Sequence, residues 1–181
     1  MPGQPGRASL LRMTPEQAST IAGFLLPQIE QEIQTTARVI AAVPDDKKDY
    51  YPAPKSMTAG TLAEHLLGAD MWFLESVLNG SFGAHPEPKE RSSAELAAEY
   101  ARRGAELIAK IRQLSGEQLA KDVKFHTMTL PNVTYLEIMQ KHSVHHRGQL
   151  SAYLRPMGAK VPSIYGGSAD EPITDAATDS K

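Results

Sequence analysis

Cysteine is absent from the 181-residue chain, which excludes disulfides, thiolate metal sites and a catalytic cysteine. Long apolar runs are absent too. No segment approaches the roughly 20 consecutive apolar residues of a membrane span, and no apolar signal-type stretch follows the N-terminus. Neither sign of charge is in excess: 19 Lys+Arg stand against 21 Asp+Glu, a formal net charge of −2. An electrostatic nucleic-acid binder would carry a basic surplus instead. Strand signals are scarce, and no internal repeat or low-complexity tract breaks the chain. A single domain of this length buries roughly 70% of the surface its unfolded form exposes, so it needs no covalent staple. The expectation is a cytoplasmic single-domain protein with neither a membrane nor a nucleic acid as partner.

The chain does carry helix punctuation. Thr14-Pro15-Glu16-Gln17 offers a capping hydroxyl, a proline at the first helical position and a Gln that closes a capping box. Ser92-Ser93-Ala94-Glu95 and Thr134-Tyr135-Leu136-Glu137 repeat the box. Apolar residues then recur at three- and four-residue intervals. The spacing predicts a first helix over residues 15–43, kinked or split at Pro27. A second runs from near Thr58 to a stop at Asn79-Gly80, and a third over 93–114. A turn at 115–120 and one short strand or extended segment at 123–128 follow. A fourth helix covers 132–157, closed by Gly158. Four long helices with short connections predict an all-α, antiparallel four-helix bundle. Its domain is expected over residues 8–171, with disordered tails at 1–7 and 172–181.

The chemistry sits in the histidines, His65, His85, His126, His142, His145 and His146. His142 and His146 are four apart, so their rings differ in direction by about 40° and reach one point beside the last helix. Tyr135, Met139, His142, His146, Gln149 and Tyr153 form one stripe, from which His145 diverges by about 60°. His65 lies in a largely apolar stripe of the second helix with Leu62, Ala69, Trp72 and Ser76. A buried imidazole needs hydrogen-bond partners or a metal. A lone His of this kind is usually a core residue bonded to a carbonyl, but three neutral imidazoles converging in an apolar pocket share a divalent cation most cheaply. Three ligands leave coordination positions open, as catalytic sites do, and imidazole accepts zinc, nickel, iron or copper. A carboxylate-bridged di-iron site is excluded, because no Glu stands three residues before any His.

The segment His142-Ser143-Val144-His145-His146-Arg147-Gly148-Gln149-Leu150 resembles the HxxxHRGQ hallmark of the DinB/YfiT-like family of bacterial four-helix bundle proteins. Thr61 to Leu67 is similar to that family's second-helix segment, and Val161 to Gly166 with Asp170 to Pro172 to the loop that follows the last helix in one branch. The likeness extends over about residues 14–172. It implies a metal site of His65, His142 and His146 holding nickel, zinc or iron, and a homodimer. Characterised relatives include thiol S-transferases that use low-molecular-weight thiols, and a mycothiol-dependent isomerase.

Around the triad, Gln149 and Tyr153 are placed either to orient a ligand His or a bound thiol, or simply to pack. Arg147 points about 140° from His142 and is expected in a structural salt bridge or a dimer contact. Gly148 is expected to let two helices approach closely, and Trp72 to sit in the core. His126 is expected at the surface and His85 in solvent. Glu64 diverges from His65 by about 100° and is not cast as a general base. The leading functional expectation is a metal-dependent enzyme that activates a small thiol for transfer to an electrophilic substrate, the sulfur arriving with the cosubstrate. A metal-dependent hydrolase, a non-catalytic metal- or small-molecule-binding stress bundle, and a metal-free packed triad are the alternatives.

Overall fold

The computed structural model describes residues 12–173. Helix α1 spans Pro15–Ala41, followed by a single 3₁₀ turn at Asp45–Lys47. Helix α2 spans Ala59–Asn79, α3 Ser93–Ile111 and the short α4 Gly116–Ala120. A hairpin of β1 (Asp122–Phe125) and β2 (Met128–Pro131) leads into α5, Thr134–Leu154. The expected domain start at residue 8, the tail 1–7 and the tail beyond Ile173 lie outside the described residues.

The capping boxes at Thr14 and Ser92 form as the sequence predicts, each hydroxyl accepting from the backbone N–H three residues on. Gly80 closes α2 at φ 64°, a left-handed conformation open to glycine without penalty. Helix α1 runs unbroken through Pro27. The proline is exposed, so the carbonyl that loses its intrahelical donor faces water, and the Gln28 side chain donates to the neighbouring Phe24 carbonyl at 2.9 Å.

The expected turn at 115–120 is present as a short helix, with Ser115 and Gln118 making a further capping box. Two other local expectations need correction. The extended segment is half of a hairpin: Phe125 pairs with Met128 across a two-residue turn in which His126 takes φ 50°. Glycine usually fills such a position, so His-Thr gives no turn signal. Thr134 does not cap α5. Val133 occupies the cap position in helical conformation, and the chain enters through i→i+3 bonds, Tyr135 N–H to Asn132 O and Leu136 N–H to Val133 O. Asn132 instead docks the helix start, donating its amide to Val77 O at 2.8 Å, a carbonyl of the last turn of α2.

Helix α1 packs against α3, α4 and α5, and α2 packs against α3 and α5. The shared core includes Ile29, Ile33 and Ile40 of α1, Leu62, Leu66 and Leu74 of α2, Ile108 of α3, and Leu136 and Leu150 of α5, all essentially buried. The glycine that permits close helix approach is Gly104 of α3, where a Cβ would stand 2.6 Å from Ile33 Cδ1. Gly148 is exposed and a Cβ there would meet nothing within 4 Å, so the close approach expected at that residue does not occur.

After α5 the chain turns at Gly158 (φ 75°) and residues 159–173 fold back over α1 and α5. Arg155 bonds Asp170 at 2.7 Å, Arg38 pairs with Glu171, and Tyr165 donates to Glu32 at 2.9 Å. Arg147, only 1% exposed, is held between these parts by Glu32, Thr36 and Tyr165. Of the two expected roles for Arg147, the intramolecular salt bridge is present, and it fixes the rotation of α5 beside His146.

Candidate metal centre

Helix α2 contributes His65, and α5 contributes His142 and His146 on successive turns, all half-buried. Ring centroids lie 4.9 Å apart for His65–His142, 4.6 Å for His65–His146 and 4.4 Å for His142–His146. One ring nitrogen from each lies within 4.8 Å of the others. His65 Nε2 and His142 Nε2 face each other at 3.0 Å. Tetrahedral bonds of about 2.0–2.1 Å would set ligand nitrogens roughly 3.4 Å apart, so the three residues fit a divalent ion with little movement.

The supporting hydrogen bonds fix the tautomers. The Asp70 carboxylate lies 3.2 Å from His142 Nδ1 and can only accept while ionised, so that nitrogen carries the proton and Nε2 keeps its lone pair for the cluster. Gln149 Oε1 accepts from His146 Nδ1 at 2.8 Å with the same consequence. Burial, and then the positive charge the His142 and His146 rings would carry, push the His65 pKa down to about 4. Burial lowers His146 as well, opposed by its bond to Gln149. At neutral pH His65 therefore presents a neutral ring, as a metal ligand must.

Asp70 is itself fully buried and accepts from the Tyr100 hydroxyl at 2.5 Å, which also lies 3.2 Å from Ser143 Oγ. Burial, and then the Asp70 charge, hold the Tyr100 pKa well above its ordinary value, so the hydroxyl stays a donor. This Ser143–Tyr100–Asp70–His142 relay joins α3 to the cluster, and it was not part of the sequence expectation. The available signal was Asp70 itself, the only charged residue between His65 and Glu75 in a run otherwise apolar or glycine.

The other expected neighbours divide. Gln149 orients His146, whereas Tyr153 packs edge-on against Tyr50 at 5.9 Å. His145 is exposed, its ring 4.9 Å from His146. Glu64 pairs with Arg91 at 3.3 Å, and burial raises its pKa against that charge. Trp72 is half-buried rather than core, in an aromatic cluster with Phe73, Phe82 and Phe125 at 5.0–5.6 Å, and it donates to Gly83 O at 3.0 Å. His126 is exposed against Phe125. His85 is exposed as expected, yet its ring rests on Trp72 at 5.1 Å rather than standing free.

A cavity of about 490 Å³ opens beside the cluster and meets it at His65. Gly68 and His85 form one side of it, and Arg91, Glu99 and Arg103 part of another. Arg91 bonds Glu99 at 2.5 Å and Arg103 bonds Glu75 at 2.6 Å, so that wall is an ion-pair ladder between α2, α3 and the connecting loop.

Residues 19–176 match the DinB family. The chain belongs to that family. It is 26% identical over 126 residues to the uncharacterized protein YjoA of Bacillus subtilis strain 168, covering 68% of this chain and 82% of YjoA. It is 26% identical over 145 residues to the uncharacterized protein YrdA of the same organism, covering 78% and 86% respectively. The crystal structure of the DinB-like YjoA superposes with a TM-score of 0.67 at 25% identity, over 78% of this chain and 97% of that one. A DinB-like protein of Bacillus cereus superposes with a TM-score of 0.67 at 22% identity, over 86% and 100%, and speaks to the fold alone. Among the described residues, no helix is long and apolar enough to cross a membrane.

Proposed function

We propose that this DinB-family chain binds one divalent ion, nickel, zinc or iron, through His65, His142 and His146, and uses it to activate a low-molecular-weight thiol for transfer to an electrophilic small molecule. The observation that carries the metal is the convergence of three imidazole nitrogens within 4.8 Å, two of them with tautomers fixed by Asp70 and Gln149. The ion would supply Lewis acidity that lowers the pKa of a bound thiol. Three protein ligands leave room for that thiol, and the chain has no cysteine of its own to serve as the nucleophile. Asp70 and Gln149 hold the ligand rings, Trp72 and the aromatic cluster keep water from one side, and the cavity at His65 admits the reactants. The same reading takes the four long helices as an antiparallel bundle, working as a cytoplasmic homodimer.

Elemental analysis of untagged protein, followed by thermal-shift measurements with small thiols in the presence and absence of each divalent ion, tests the proposal. One equivalent of metal and a thiol-dependent stabilisation seen only in the loaded protein are expected. Metal without any thiol response would favour a hydrolase or a non-catalytic metal-binding protein, and absence of metal binding would reduce the triad to packing.

A further inference from the structure

We propose that His85 is a fourth histidine of the site, the proton acceptor for the thiol bound in the cavity; this rests on the thiol reading above. The loop ahead of α3 carries His85 to the face of α2 that bears His65. Its Cε1 lies 3.4 Å from where a Cβ of Gly68 would stand, and its ring packs on Trp72 with centroids 5.1 Å apart. Gly68 and Trp72 follow His65 by three and seven residues, so His65 and the seat of His85 share one stripe, about one helical turn apart. Both rings line the same cavity.

The placement is built into the chain. His85 precedes Pro86, which holds it to extended backbone, and Pro88 restricts the loop again. Gly68 leaves room for the ring: a Cβ there would just touch His85 Cε1 at 3.4 Å, and a side chain extending beyond it would meet the imidazole. The tautomer is set as well. His85 Nδ1 lies 2.9 Å from the Pro86 carbonyl, and a carbonyl only accepts, so Nδ1 carries the hydrogen and Nε2 the lone pair. Among the described residues no protein donor is bonded to that Nε2, which leaves it for a ligand.

The step moves one proton. The S–H bond of the thiol breaks with its electron pair left on sulfur, and an N–H bond forms at His85 Nε2, giving a thiolate beside an imidazolium. His85 coordinates nothing in this scheme, so its loss spares the metal.

The test uses full-length protein loaded with Co²⁺ and titrated with 2-mercaptoethanol near neutral pH, by calorimetry in two buffers of different ionisation enthalpy. The wild type is expected to release about one proton fewer per thiol bound than His85→Gln, because the variant has no internal acceptor. His85→Phe, which keeps the ring on Trp72, should behave like His85→Gln. Both variants should hold Co²⁺ with affinity unchanged within about twofold, as expected of a residue outside the ligand set. Equal proton release in the wild type and His85→Gln overturns the role of His85 and leaves the thiol reading standing, as does a loss of Co²⁺ in the variants. A wild type that binds one Co²⁺ but no thiol overturns the thiol reading and this assignment with it.

Discussion

Replacing Asp70 by Asn separates a group that tunes a metal ligand from one that merely packs. The carboxylate is 0% exposed, accepts from Tyr100 at 2.5 Å and faces His142 Nδ1 at 3.2 Å. Asn preserves shape and hydrogen bonding: its oxygen can still accept from His142, its NH₂ can donate to the Tyr100 hydroxyl, and that hydroxyl can turn to Ser143, 3.2 Å away. What disappears is the negative charge that makes His142 a better donor. Loss of such a carboxylate typically costs 10–100-fold in metal affinity, about 1.4–2.7 kcal/mol. The metal-free protein, relieved of a buried charge, should lose no comparable stability. Competition against a chromogenic chelator gives the metal dissociation constant, and urea unfolding of the metal-free protein gives the stability. An affinity within about threefold of wild type, or a stability loss that accounts for the whole effect, would refute the assignment of Asp70 to His142.

Four other consequences can be measured directly. His65 is depressed from 6.5 to about 4, so as pH falls the unfolded chain takes up its proton first; stability is whole above 6.5 and is lost toward 4, together with bound metal. The pH dependence of the urea midpoint should show this, and His65→Gln should flatten it in the metal-free protein. Arg147→Met leaves Glu32 without its partner in a largely buried setting and should cost about 3 kcal/mol by urea unfolding, partly restored by adding Glu32→Gln. Gly148→Ala should stabilise by about 0.5–1 kcal/mol, because an exposed helix interior gains propensity without a clash. Gly104→Ala should destabilise by about 1–3 kcal/mol as Ile33 is displaced. Opposite signs for the two alanines, read from melting temperatures, check the placement of α1 against α3.

Local chemistry was written in the chain. Hydroxyl and Glu or Gln at the right spacing specified the starts of α1 and α3, Gly80 specified the end of α2, and the four-residue spacing of His142 and His146 specified a shared face, since each depends on neighbours within about a turn. Where long-range packing competes, the same signals mislead: Thr134 has the letters of a capping box, but Asn132 is already engaged with Val77 and the helix begins without a side-chain cap. The glycine in the histidine segment, Gly148, faces open space, while Gly104, with nothing in its own segment to mark it, meets Ile33. The hairpin carries no turn signal in the sequence, because His126 fills a turn position that glycine normally marks. The sequence by itself determined the four long helices, the absence of a cysteine nucleophile and the faces on which the three imidazoles stand. Only the tertiary structure decided that Asp70, Tyr100 and Ser143 back His142, that Arg147 locks α5 to α1, and that His85 rests one turn from His65, because each pairing joins residues far apart in the chain whose meeting depends on how the helices pack.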